Sequence, residues 1–202
     1  MITLNNVCKS FGEKKLFDNF GLDIRDGEFV VFAGKSGCGK TTLLNMIGGL
    51  EKPDSGDIIV NGKDIFKKRN LRGYFTETVG FLFQNFALIE DETVIKNLNY
   101  VQKKYRSGVP VDDILNSLGL FDKRETKVYK LSGGEQQRVA LARLMYKKCS
   151  IILADEPTGS LDSENAAAVL KILHDLNDRG KTVILVTHSE KIIENEKRVI
   201  NL

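Results

Sequence analysis

The apolar run Phe29-Val30-Val31-Phe32-Ala33 leads directly into Gly34-Lys35-Ser36-Gly37-Cys38-Gly39-Lys40-Thr41, and helical periodicity follows over Thr41–Leu50. A strand, a glycine loop ending in Lys-Thr, and a helix, in that order, form a phosphate-binding unit. The glycines let the backbone curl until its N–H groups converge, and the positive end of the helix dipole adds to the attraction for an anion. A strand without polar alternation is covered on both faces, so the unit belongs in a parallel sheet flanked by other elements. Three further runs of the same kind, Val79–Phe83, Ile151–Ala154 and Val183–Thr187, supply candidate neighbours. Between the last two, Glu164–Asn177 sets Ala167, Leu170, Ile172, Leu173 and Leu176 along a helix. The expected core is therefore a doubly wound parallel α/β sheet.

Two regions depart from that alternation. Residues 1–27 and 56–66 carry short candidate strands with turn chemistry such as Asn61-Gly62, which predicts an antiparallel β layer. Residues of about 86–148 read as helical, with Val94, Leu98, Val101 and Tyr105 on one face and Val111, Ile114, Leu115 and Leu118 on another. They predict a helical subdomain inserted between two core strands of a single domain spanning 1–202. Arg198–Leu202 reads as a closing strand, with no room for a regulatory domain after it.

The chain of 202 residues has 30 basic and 27 acidic side chains, a net charge of +3. Its basic clusters, Lys67, Lys68, Arg69 and Arg72, and Lys103, Lys104 and Arg106, are short and interrupted. They favour a solvated face over a nucleic-acid surface. Cys8, Cys38 and Cys149 have no metal-ligand spacing, which fits a reducing compartment. The N-terminus lacks the pattern of a signal peptide, and no apolar run approaches the roughly 18 residues of a membrane helix. Any membrane process served by this chain needs a separate membrane subunit.

Five further features concern chemistry. Ile151-Ile152-Leu153-Ala154-Asp155-Glu156 ends a strand in two carboxylates, an arrangement that caps a helix more often than it catalyses. At the end of a parallel strand they would face the ligand crevice. Gln84 follows one strand and His188 another, and each taken alone reads as a solvated side chain. Phe11 sits in Lys9-Ser10-Phe11-Gly12, as either a core residue of the β layer or an exposed platform. Leu131-Ser132-Gly133-Gly134-Glu135-Gln136-Gln137 opens a helix through Lys147. A serine before glycines offers a hydroxyl, free N–H groups and a positive dipole end, all suited to an anion.

The phosphate loop, the Leu131–Gln137 string and the Asp155-Glu156 pair, in this order, resemble the ATP-binding-cassette ATPase family over nearly the whole chain. The resemblance implies ATP and Mg²⁺ as ligands. Gly34, Lys35, Ser36, Gly37, Cys38, Gly39, Lys40, Thr41 and Thr42 would hold the phosphates, with Lys40 reaching the β- and γ-phosphates, and adenine would stack on Phe11. Thr41, Asp155 and Gln84 would serve Mg²⁺, Glu156 would act on the attacking water, and His188 would sense the γ-phosphate. Ser132, Gly133, Gly134 and Asp162, the last closing Pro157-Thr158-Gly159-Ser160-Leu161-Asp162, would bind nucleotide in trans. That requires a second copy of the chain, or a homologous ATPase subunit, in a head-to-tail dimer.

The departures are mild: Lys35 where proline or a small residue is common, Phe11 where tyrosine is usual, and Ser189 where aspartate often follows the histidine. The strings around Leu43–Gly56 and Ile151–Asp162 are similar to the branch of macrolide exporters, lipoprotein-release ATPases and lactococcin-type bacteriocin exporters. An export-type ATPase on the cytoplasmic face of the cell membrane, coupled to an integral membrane permease and with no nucleic-acid partner, is expected. An importer ATPase and a cell-division or signalling ATPase share the same residues. A DNA-maintenance ATPase does not fit, because the 46 residues between Gln84 and Leu131 are too few for its coiled coil.

Overall fold

The computed structural model describes residues 1–67, 70–159 and 161–202. Lys68 and Arg69 of the first basic cluster and Ser160 of the Pro157–Asp162 loop lie outside the described residues. In chain order the strands are β1 Ile2–Phe11, β2 Lys14–Ile24, β3 Phe29–Ala33, β4 Ser55–Val60, β5 Lys63–Asp64, β6 Val79–Leu82, β7 Ile151–Asp155, β8 Thr182–Val186 and β9 Val199–Asn201. The helices are α1 Lys40–Ile47, α2 Asn70–Gly73, α3 Val94–Asn99, α4 Val111–Ser117, α5 Gly133–Tyr146, α6 Ser163–Asp178 and α7 Glu190–Asn195.

Strands β6-β7-β8-β3-β9 form a parallel sheet, and β2-β1-β4-β5 a separate antiparallel one. The unalternating apolar runs are explained by two cores. Ile152 and Ala154 of β7, with Val183 and Leu185 of β8, face one core, which also holds Leu98, Leu115, Val139 and Leu173. Ile151, Leu153, Ile184 and Val186 face the other, against α1 and the antiparallel sheet. Each strand is thus alternating, but with both faces apolar. The α/β architecture expected from the sequence, with its parallel sheet, antiparallel layer and helices, is present.

Local chemistry moves some boundaries. The helix expected to reach Leu50 ends at Ile47. Gly49 adopts φ +76°, and a Cβ there would lie 2.8 Å from Leu71 Cδ2, so the chain turns away in a conformation only glycine takes easily. The periodicity over Val94–Tyr105 is broken as well, since α3 stops at Asn99 and only a 3₁₀ turn, Lys103–Tyr105, follows. Arg106 Nε donates to the Val101 carbonyl at 2.9 Å, while Tyr105 N turns back to Gln102 O. The helical ladder loses its acceptor there. Among the described residues no helix is long and apolar enough to cross a membrane.

Candidate active site

Strand β3 delivers the phosphate loop to the edge of the parallel sheet. Gly34 takes φ +141°, and a Cβ on it would sit 2.6 Å from the Leu202 carbonyl and 2.9 Å from Cys38 Sγ. Gly39, φ +107°, starts α1 and leaves 2.9 Å between its virtual Cβ and the Phe17 ring. The first-turn N–H groups of α1 have no intrahelical acceptor, and its N-cap residue, Gly39, has no side chain to cap them. Lys40 is buried and curls back over the loop, donating to Gly34 O at 2.8 Å and Lys35 O at 3.0 Å. From β2, Lys14 Nζ donates to Gly37 O at 2.9 Å and ties the hairpin to the loop.

The carboxylates arrive from β7. Asp155 Oδ1 accepts from Thr41 Oγ1 at 3.1 Å, and burial raises its pKa against the lowering effects of that bond and of Lys40. Glu156 has φ +45°, a left-handed conformation that costs a non-glycine residue about 1–3 kcal/mol. Its backbone N–H is held by Val186 O at 3.0 Å, which fixes the residue at the sheet edge. Burial also raises the Glu156 pKa, opposed mainly by His188. His188 Nε2 stands 3.0 Å from Glu156 Oε1, yet without the alignment of a hydrogen bond, so this buried oxygen has no donor.

A cavity of about 1100 Å³ brings most of these groups together. Its wall includes Phe11, Ser36, Gly37, Gly39, Lys40, Thr41, Thr42, Gln84, Glu156 and His188. Phe11 is 52% exposed, which settles the sequence ambiguity against a core position. Lys35 is exposed and stands outside the wall, contributing its carbonyl to Lys40. The residues fit an anion and a hard cation. Free helix N–H groups and a buried ammonium suit phosphates, and paired Thr41 and Asp155 oxygens suit Mg²⁺, which takes few protein ligands beside phosphate and water. The unpartnered Glu156 oxygen points to a missing polar guest.

Ser132, Gly133, Gly134 and Asp162 are absent from that wall. Ser132 caps α5 in a reciprocal box: its Oγ accepts from Glu135 N at 3.3 Å, and Glu135 Oε2 accepts from Ser132 N at 2.8 Å. Gly133 has nothing within 4 Å of a virtual Cβ, and Gly134 only the Arg138 guanidinium at 3.8 Å. Asp162 caps α6, accepting from Asn165 N at 2.8 Å, which lowers its pKa. His174, given no role from sequence, stacks on Phe29 with ring centroids 4.3 Å apart and meets Glu196 at 2.9 Å.

Sequence reasoning passed over Gln137 and Arg143. Buried Gln137 donates to Pro157 O at 2.9 Å, directly after Glu156. Arg143 donates to Phe86 O at 2.9 Å and Ala87 O at 2.5 Å, two and three residues past Gln84. Their only sequence signal is a polar side chain on an inward-facing turn of a helix.

A family model described as "ABC transporter" matches residues 17–159. The Campylobacter jejuni macrolide export ATP-binding/permease protein MacB is 42% identical over 212 residues, covering 100% of this chain and 33% of that protein. The chain therefore spans about a third of the length of the macrolide export relatives it matches. The lipoprotein-releasing system ATP-binding protein LolD of Bacteroides fragilis is 37% identical, covering 100% of this chain and 97% of that one. A solved structure described as a dimeric bacterial ABC transporter cassette superposes with a TM-score of 0.89 at 37% identity, covering 100% of this chain and 94% of its own. Another, described as a dimeric post-hydrolysis state of an ATP-binding cassette bound to ADP and Pi, gives 0.86 at 36%, with the same coverage.

Proposed function

The chain belongs to the ABC transporter family, and from that premise we propose that it is the ATP-hydrolysing subunit of an export-type transporter. It closes as a head-to-tail dimer around two ATP molecules with Mg²⁺ and drives a separate integral membrane permease from the cytoplasmic face. Residues 1–202 act as one ATP-binding domain, with about 86–148 as its helical subdomain. The names of its relatives, macrolide export and lipoprotein release, support a hydrophobic or peptide cargo, a bacteriocin among them.

Lys40 and the first-turn N–H groups of α1 hold the phosphates in cis, and the Phe11 ring receives the adenine. Thr41, Asp155 and Gln84 would hold Mg²⁺, which would supply positive charge to offset that of the phosphates. Glu156, its pKa raised by burial, accepts the proton of the attacking water through its unpartnered Oε1. His188 Nε2, beside it, orients that water and the γ-phosphate.

The dimeric form of both cassettes on which the chain superposes is the observation that carries the dimer. Ser132, Gly133 and Gly134 open α5 outside the cavity of their own chain, and the positive end of that helix has the charge to receive a γ-phosphate held by the opposite subunit. In a twofold dimer that contact occurs twice, and loss of the γ-phosphate removes both.

Glu156→Gln tests the reading. The variant binds ATP with Mg²⁺, turns over about a hundred- to ten-thousandfold more slowly, and elutes as an ATP-loaded dimer in size exclusion. Wild-type turnover would place the base elsewhere; an ATP-loaded monomer would refute the sandwich.

A further inference from the structure

Lys9 is one of the few buried charged residues among the described ones, its side chain 8% exposed, yet it is absent from the wall of the nucleotide cavity. Its ammonium pairs with Glu51, donates to Lys52 O at 2.9 Å and reaches Asp54 Oδ1 at 3.4 Å. The same Asp54 accepts the Ser10 backbone N–H through Oδ2 at 2.7 Å. The end of β1 is thereby fastened on two sides to the segment that follows α1. Held there, Lys9 Nζ lies over the Phe11 ring at 5.0 Å from its centroid.

Phe11 needs such a support. It is 52% exposed, it lines the cavity, and unlike a tyrosine it has no hydroxyl with which to fix its own orientation. Isolated exposed rings rotate freely about χ1 and χ2, and a freely rotating ring loses entropy when a base stacks on it. A fixed cation over one face removes that freedom, because the face carries the negative part of the ring quadrupole. It also draws electron density from the opposite face, which favours stacking with an electron-rich purine.

We propose that Lys9 is a positioning residue for the nucleobase: it backs the Phe11 ring on one face and presents the other, pre-oriented and electron-poor, to adenine. The inference rests on Phe11 as the base platform. It assigns Lys9 no contact with nucleotide and no part in the phosphate chemistry.

The test compares a ligand that has a base with one that does not. Isothermal titration of the full chain with ATP, and with inorganic tripolyphosphate as competitor, reads Lys9→Met, Lys9→Arg, Phe11→Ala and the Lys9→Met/Phe11→Ala pair. Lys9→Met weakens ATP binding about three- to tenfold, in the range of a partly desolvated cation–π contact, and leaves tripolyphosphate binding unchanged. Lys9→Arg restores most of the loss, and Lys9→Met adds nothing on the Phe11→Ala background. In steady state KM for ATP rises while kcat holds. Equal weakening toward both ligands overturns the inference, since Lys9 would then act through the fold of the loop. Unchanged ATP binding in Lys9→Met beside a clear loss in Phe11→Ala overturns it too, with the platform intact. An unchanged Phe11→Ala removes the platform and the inference with it. If Lys9→Met does not fold, Glu51→Gln, at a residue 37% exposed, loosens the same anchor and takes its place.

Discussion

Arg143 is the sharpest point at which to probe how α5 is coupled to the loop beyond Gln84. Its guanidinium is partly buried without a carboxylate partner among the described residues, and desolvation lowers its pKa. It donates instead to two consecutive carbonyls, Phe86 O at 2.9 Å and Ala87 O at 2.5 Å. Both acceptor residues are left-handed, with φ +62° and +46°. A hydrogen bond from a charged donor contributes about 1.5–3 kcal/mol. Two of them, reduced by desolvation of the guanidinium and by about 1–2 kcal/mol of left-handed strain at each acceptor residue that relaxes once they are gone, leave a net loss of about 1 kcal/mol for Arg143→Met, which keeps the length of the stem. In a chain of this size that lowers the melting temperature by about 2–4 °C. Hydrogen exchange then accelerates across residues 85–88, with little change in the cores. Arg143→Lys falls between, because one ammonium cannot bridge both carbonyls as a planar fork does. A melting temperature unchanged in Arg143→Met, or exchange that accelerates evenly over the whole chain, refutes the clamp.

Two further outcomes follow from the site. Lys40→Ala removes the buried ammonium at the phosphate loop and abolishes productive ATP binding by titration; near-wild-type hydrolysis would sink the assignment of that loop. Ser132→Arg leaves ATP affinity under monomeric conditions close to wild type while hydrolysis fails, because residues 132–134 stand outside the cavity of their own chain. Loss of affinity as severe as that of Lys40→Ala would mean that the serine acts in cis.

Most of the fold was legible because its signals are local. β7 and β8 read as buried strands since every position of Ile151–Ala154 and Val183–Val186 faces one core or the other. Asn61, at φ +50°, and Gly62, at +75°, form the turn that their sequence announces. Ser132 and Glu135 are spaced as a capping box and form one. What stayed hidden depends on carbonyls, which a sequence does not display. Arg143, Gln137 and Lys14 all bond to backbone oxygens of distant segments, and any polar residue could have occupied their positions without altering the pattern. Arg106 ends the helical run after α3 in the same way. The left-handed backbone of Glu156 was invisible too, because a strand followed by two acids gives no hint that the second has turned out of the sheet.

Helix α5 carries Ser132 as its cap and Arg143 three turns later, about 16 Å along the axis at 1.5 Å per residue. Its intact hydrogen-bonded ladder makes those two ends move as one piece. If binding at one end shifts the helix, binding at the other is linked to it thermodynamically, and the linkage is reciprocal. A partner seated on residues 86–87 that strengthens the hold of Ser132 on a phosphate by some factor is itself held more tightly, by the same factor, once the phosphate is in place. Affinities for nucleotide and for such a partner, measured separately, would therefore have to agree on one coupling constant.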